Sequence, residues 1–146
     1  MWKYVAVLTA SLVLAGCGDD DGTGPSPESL TGTWQATKAE MVSAANPSLK
    51  IELISLGATL ELVLSTNQAF TMTATIPGEP PEVQTGTWSS SSDVLVLKPS
   101  GQTFDWTFDM TLTGTTLTLS GAHVEFDLND DGVDDEAILN LVMQRQ

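Results

Sequence analysis

The sequence is poor in the residues that most often carry chemistry. It has one cysteine, Cys17, one histidine, His123, and neither a Gly-x-Ser-x-Gly nor a His-Glu-x-x-His pattern. A single thiol forms no intrachain disulfide. A lone imidazole supports no multi-histidine zinc site and, without a nucleophile motif, no triad. Carboxylate pairs remain, since Glu61, Asp105, Asp109 and Glu125 all fall in strand-like stretches, but alternation sets most of them on the polar face. Catalysis is therefore not expected. Basic residues are equally scarce, five Lys and Arg against nineteen Asp and Glu, for a formal charge of −14. Binding to a phosphate backbone depends on Lys and Arg neutralising it, so nucleic acid is excluded as a partner. Long apolar runs are missing too. The one present, residues 5–14, falls short of the roughly 20 residues a spanning helix needs.

What the sequence has in quantity is Thr, Leu, Val, Gly and Ser, with few of the Glu, Lys and Arg that build helices. The expected class is all-β.

The start of the chain is organised differently. Met1-Trp2-Lys3-Tyr4 carries one positive charge, the apolar run follows, and Leu14-Ala15-Gly16-Cys17 closes the segment. Charged, apolar and small-residue regions in that order are the parts of a secretory signal. The tetrapeptide resembles the lipobox of bacterial lipoproteins, a specific resemblance covering residues 1–17. It implies cleavage after Gly16 and acylation of Cys17. Read instead as a small residue at an ordinary cleavage site, Cys17 would be an unpaired thiol in an exported protein, and acylation explains why it is there. Several acyl chains at about 0.8 kcal/mol per buried CH₂ hold a protein firmly to a leaflet. The family's sorting preference, with Gly18 rather than Asp after the Cys, implies the outer membrane of the cell envelope. Cleavage removes Lys3 and no acidic residue, leaving four basic against nineteen acidic side chains, a formal charge of −15. An anionic lipid surface repels such a domain, so it is expected to stand off on the flexible acidic tether 17–29. Three segments follow: signal 1–16, tether 17–29 and one domain, 30–146.

Within the domain, strands are expected at 30–41, 58–64, 70–76, 83–89, 93–97, 104–112, 116–128 and 137–143. The cleanest are Phe70-Thr71-Met72-Thr73-Ala74-Thr75-Ile76 and Phe104-Asp105-Trp106-Thr107-Phe108-Asp109-Met110-Thr111-Leu112. Apolar residues alternate there with Thr or Asp, the mark of a strand buried on one face. The nearly continuous apolar run 93–97 is expected to be covered on both faces. Gly121 is a candidate bulge. Residues 42–56 fit neither the helical nor the strand period and form a long connection. Gly32-Thr33-Trp34 is echoed by Gly86-Thr87-Trp88, which shared strand constraints explain as well as duplication does.

Eight strands in a meander, a Gly-x-Trp in the first (Gly32, Trp34), a long connection after it and an Arg near the end of the last (Arg145) resemble the bacterial lipocalin-like proteins over 30–145. The resemblance implies an eight-stranded antiparallel up-and-down barrel; from the pattern alone a β-sandwich is the alternative. It also implies that Trp34 seals one end with Arg145 packed across it, and that 42–56 crosses the open mouth. A small apolar ligand is then expected in the barrel, with Phe70, Met72, Trp106, Phe108, Met110 and Leu117 as its lining. The same six residues can simply fill a small barrel as core. A filled barrel would instead make the domain an interaction or structural module, presenting its acidic surface or the 42–56 connection to another envelope protein.

The sharpest local motif is Asp127-Leu128-Asn129-Asp130-Asp131-Gly132-Val133-Asp134-Asp135. Asp127, Asn129, Asp131, the Val133 carbonyl and Asp135 match positions 1, 3, 5, 7 and 9 of a calcium loop, with Gly132 at the sharp turn. Ile138 stands where the bidentate Glu belongs, and strands rather than helices flank the loop. A weakly held structural calcium and an acidic hairpin tip with solvated carboxylates are both open.

Overall fold

The computed structural model describes residues 24–146; the expected signal, Cys17 and the first part of the expected tether lie outside the described residues. Nine strands follow one helical turn, α1 (Pro27–Leu30): β1 (Gly32–Ser43), β2 (Lys50–Glu52), β3 (Thr59–Leu64), β4 (Ala69–Thr75), β5 (Glu82–Ser91), β6 (Val94–Pro99), β7 (Trp106–Thr113), β8 (Thr116–Phe126) and β9 (Asp135–Arg145). From β3 onward each strand pairs antiparallel with the next. β1 pairs with β3 on one side and with β9 on the other, from Trp34↔Arg145 to Ser43↔Ala137. The sheet therefore closes into an eight-stranded up-and-down barrel, which excludes the sandwich. β2 is the ninth strand, added to β1 beyond its pairing with β3 through Met41↔Ile51.

Alternation sets which side chains point inward. Leu60, Leu62 and Leu64 of β3, Phe70 and Met72 of β4, Leu95 and Leu97 of β6, and Phe108 and Met110 of β7 are all buried. The outward positions of β4 and β7 carry Thr and Asp. β6 departs from expectation: it is not covered on both faces. Val94 and Val96 point outward, half buried, opposite Ser91 and Asp109 and opposite Ser89 and Thr107. Branched side chains suit the pleated outer surface without needing a second layer over them.

Two bulges switch the inward parity mid-strand. In β1 the register shifts between Ala36 and Lys38, so the inward set changes from Trp34 and Ala36 to Ala39, Met41 and Ser43. In β8 it shifts between Leu119 and Ala122. Gly121 takes a φ of +86° there, and its N–H donates to Asn140 Oδ1 at 3.0 Å. An extra residue of this kind tightens the local twist, which a barrel of long strands needs in order to close.

The barrel's two ends differ in filling. At the end formed by the β3–β4, β5–β6 and β7–β8 turns, Trp34, Phe70, Trp88 and Leu117 occupy the interior. α1 lies across this end, with Ser26 as its N-cap, and takes up the last three residues of the stretch read as tether. The other end is reached by the 44–58 connection and by the β4–β5, β6–β7 and β8–β9 loops. Ala39, Ala58, Ala74, Ala122 and Ala137 lie toward it.

Candidate ligand-binding site

The asymmetry of side-chain size leaves space at one end only. A cavity of about 230 Å³ opens between the 44–58 connection and the starts or ends of β3, β4, β5, β7, β8 and β9. Its apolar wall includes Met41, Leu53, Leu60, Met72, Ala74, Ile76 and Leu139, with Phe104, Trp106 and Phe126 contributing aromatic faces. Thr59, Glu82, Gln84, Gln102, Glu125 and Asp134 are its polar members. At about 30 Å³ per water molecule, the space holds on the order of eight waters. That suits one short chain or one small ring, below the roughly 300 Å³ at which pockets for drug-sized ligands begin. A depression of about 410 Å³ outside the barrel, where Gly24 and Pro25 pass Asp93 and residues 110–112, is bounded by six residues and borders the undescribed segment. It is not enclosed by the fold.

Of the six side chains expected to line a ligand, Met72 and Trp106 line the cavity. Phe70, Phe108, Met110 and Leu117 are core instead, at most 3% exposed, and none touches the cavity. The expectation placed the site on the strongest alternation, but large inward residues fill space where small ones leave it. Met41 reaches the cavity because the β1 bulge turns it inward. Leu53 and Ile54 come from the connection, where β2 and a 3₁₀ turn (Ile54–Leu56) lie at the mouth.

That connection is fastened by a residue the sequence did not single out. Glu52 Oε1 accepts from the backbone N–H of Ala39 at 2.8 Å and of Ile54 at 3.3 Å, and Oε2 accepts from Ser55 N at 2.6 Å. These bonds, Ala39's first, hold the Glu52 carboxyl below the usual range against the opposing effect of desolvation. Glu52 thereby ties the lid segment to β1 just beyond its bulge.

At the closed end the structure brings Trp34 and Arg145 together. The guanidinium lies 4.2 Å from the Trp34 ring centroid. It donates from Nη1 to Thr31 O at 2.7 Å and from Nη2 to Ser29 O. Trp34 Nε1 donates to Leu30 O at 2.8 Å, so the indole's one polar group is satisfied inside the core. Trp88 does the same for the β3–β4 turn, donating from Nε1 to Ser65 O at 2.9 Å. The glycines two places earlier are needed for contact. A Cβ on Gly32 would stand 2.7 Å from Arg145 Nη1, and one on Gly86 would stand 2.0 Å from Lys98 O and 2.8 Å from Phe70 Cε1. The repeated Gly-Thr-Trp thus records two similar packing problems.

The acidic loop 127–134 is ordered by its own side chains. Asp127 accepts from Asp131 N at 3.1 Å and from Gly132 N at 2.7 Å, Asn129 Oδ1 from Asp131 N at 3.0 Å, and Asp131 Oδ1 from Val133 N at 2.9 Å. Asp130 and Gly132 take φ of +59° and +83°. The carboxylates of Asp127 and Asp131 are therefore turn-forming acceptors and not merely solvated. Among the described residues, no three or more His, Cys, Asp or Glu side chains converge as a metal-holding group. Asp135 begins β9. His123 and Glu136 meet on the outer face at 2.6 Å, away from the cavity.

A family model for the lipocalin-like domain matches residues 30–119. The chain belongs to the lipocalin-like family. A search of the curated proteins finds no match. The match covers Trp34 of the sealed end and seven of the eight barrel strands in whole or part, and β9, with Arg145, completes the barrel beyond it. Lipocalin-like domains are generally binding modules for small ligands.

Proposed function

We propose that the protein is a lipid-anchored, lipocalin-like binding module of the cell envelope, held in the outer membrane through acylated Cys17, whose open barrel end takes a small apolar ligand. The observation that carries the ligand reading is the cavity of about 230 Å³ at one end of an otherwise filled barrel. Support for the anchor comes from Leu14-Ala15-Gly16-Cys17 and the apolar run before it. The two halves are tested separately. Radiolabelled palmitate should mark the parent and not Cys17→Ala; label on the variant, with retention in the membrane fraction, removes the anchor. Fluorescent apolar probes should bind with about one site per chain; unchanged probe emission and unchanged melting temperature remove the ligand.

A second reading draws on a specific observation. The three large apolar side chains exposed among the described residues, Leu56 (65%), Val83 (58%) and Val133 (63%), each lie within two positions of a cavity-lining residue. An apolar rim around the mouth suits contact with another envelope protein. Cross-linking from a residue beside Val83, compared with one on α1, separates this reading from ligand binding alone. Calcium at the acidic loop is proposed as a stabiliser of that loop, supported by the calcium-loop spacing of Asp127, Asn129, Asp131, Val133 and Asp135 in the sequence.

A further inference from the structure

The charge distribution around the cavity narrows the ligand class. Glu82 and Asp134 line the mouth and are exposed, and Glu125, turned by alternation to the outer face beside Glu136, adds a third exposed carboxylate at the outer edge of the mouth. None of the three is in an ion pair among the described residues. Each of the four described basic residues is engaged elsewhere. Lys38 and Lys50 stand 3.8 and 3.9 Å from Glu40, Lys98 stands 3.8 Å from Asp105, and Arg145 covers Trp34 at the opposite end. No basic side chain among the described residues lines the cavity. Three aromatic residues, Phe104, Trp106 and Phe126, are half buried in the same wall.

A carboxylate ligand would bring its head into a rim of three like charges with nothing to neutralise it. A cation would meet carboxylates, where one pair at 4 Å contributes about 1 kcal/mol even in bulk water and more at a protein surface. It would also meet aromatic faces, which attract cations through the ring quadrupole. The apolar floor below is sized for a short chain. From the cavity, its aromatic wall and this charge complementarity, we infer that the barrel takes small cationic amphiphiles, with an amine or quaternary ammonium at the mouth and a short apolar body inside. The inference rests on the proposal that the cavity binds an apolar ligand, and it adds the head group.

Among the described residues the whole core and both sides of the barrel closure lie within 30–145, so residues 18–146, which keep all of them, are used without detergent. Calorimetric titration with octyltrimethylammonium, 1-octanol and octanoate, each below its micellar concentration and at low ionic strength, compares three heads on one chain length. The ammonium should bind at least about ten-fold more tightly than octanoate, with octanol between them. The domain's overall negative charge also attracts cations, so two charge-matched triple variants are compared. Glu82→Gln/Glu125→Gln/Asp134→Asn should bring ammonium and octanoate to within about three-fold of each other. Glu28→Gln/Asp93→Asn/Asp109→Asn, with the same loss of charge away from the mouth, should keep the preference. Circular dichroism confirms that both fold, and the three single mouth variants stand in if the triple does not. Binding of all three ligands without preference, or an equal loss in both triple variants, overturns the head-group inference and leaves the apolar site standing. Binding of none overturns both.

Discussion

Replacing Arg145 tests how the closed end is held. Its guanidinium donates to Thr31 O and Ser29 O and lies 4.2 Å from the Trp34 ring centroid, so one side chain joins β9, β1 and α1. Hydrogen bonds to charged groups contribute about 1.5–3 kcal/mol each and a cation–π contact about 0.5–2 kcal/mol. The freed carbonyls are near the surface and regain water, so Arg145→Ala is expected to cost about 2–4 kcal/mol in total. In a domain of this size that lowers Tm by roughly 10 °C. Arg145→Lys should recover under half of the loss, because an ammonium lacks the fork that spans two carbonyls. Gly32→Ala provides an independent route to the same contact. Its φ of +133° disfavours any side chain, and the new Cβ would press on Nη1 at 2.7 Å. Part of its cost is displacement of the guanidinium, so Gly32→Ala should cost at least about 1 kcal/mol less in the Arg145→Ala background than in the parent. Urea unfolding followed by circular dichroism and tryptophan emission measures all four corners of this cycle. Full additivity, or an Arg145→Ala protein within about 0.5 kcal/mol of the parent, would refute the reasoning.

Glu52→Gln should loosen the lid and cost about 1–2 kcal/mol at neutral pH. Because the folded state depresses this carboxyl, its contribution is complete above the ordinary glutamate value of about 4.3 and fades as pH falls through the lower folded value. The parent-minus-variant gap should therefore stay constant from pH 7 to about 5 and shrink below 4; a gap that grows in acid is inconsistent with the tie. In chelator, Asp127→Ala should cost about 0.5–1.5 kcal/mol, because two backbone N–H groups lose their acceptor. Millimolar calcium should then raise the parent's Tm by a few degrees if held with a Kd near 10⁻⁴ to 10⁻³ M, and should not raise that of Asp131→Ala; identical responses make the loop an acidic turn only. Leu117→Ala should cost about 2–5 kcal/mol without changing probe affinity per folded molecule. Ala74→Leu should weaken the probe about ten-fold, as expected for a side chain built into the cavity, with little effect on unfolding; the reverse pattern would move the site into the core.

The barrel was legible in the sequence because period-2 alternation is strict in β4 and β7, and because Trp34 and Arg145 lie at opposite ends of a chain that a closed sheet brings together. The cavity was not legible, because alternation says which residues face inward and not which leave space. Phe70, Phe108, Met110 and Leu117 were conspicuous by size, and size is why they fill the barrel. The informative signal was the small residues, Ala58 just before β3 and Ala74 near the mouth end of β4. β2 has three residues and the 3₁₀ turn has three, too few to show a period, so 42–56 read as an irregular connection. Glu52 was invisible for another reason. Its acceptors serve backbone N–H groups, one of them thirteen residues away, and no side-chain pattern marks such a partner. The β1 bulge, which brings Met41 inward, carries no glycine to announce it, unlike the bulge at Gly121.

The methionines test most directly whether ligand enters at the mouth. Met41 and Met72 line the cavity, whereas Met143 is fully buried on β9 outside it, opposite Leu117. With ¹³C-methyl methionine labelling, a titration with octyltrimethylammonium or octanol should shift the Met41 and Met72 methyl resonances together, saturably and with one dissociation constant, while Met143 stays in place. Shifts at Met143 of equal size, or no saturable shift at Met41 and Met72, would contradict a binding site at the open end of the barrel.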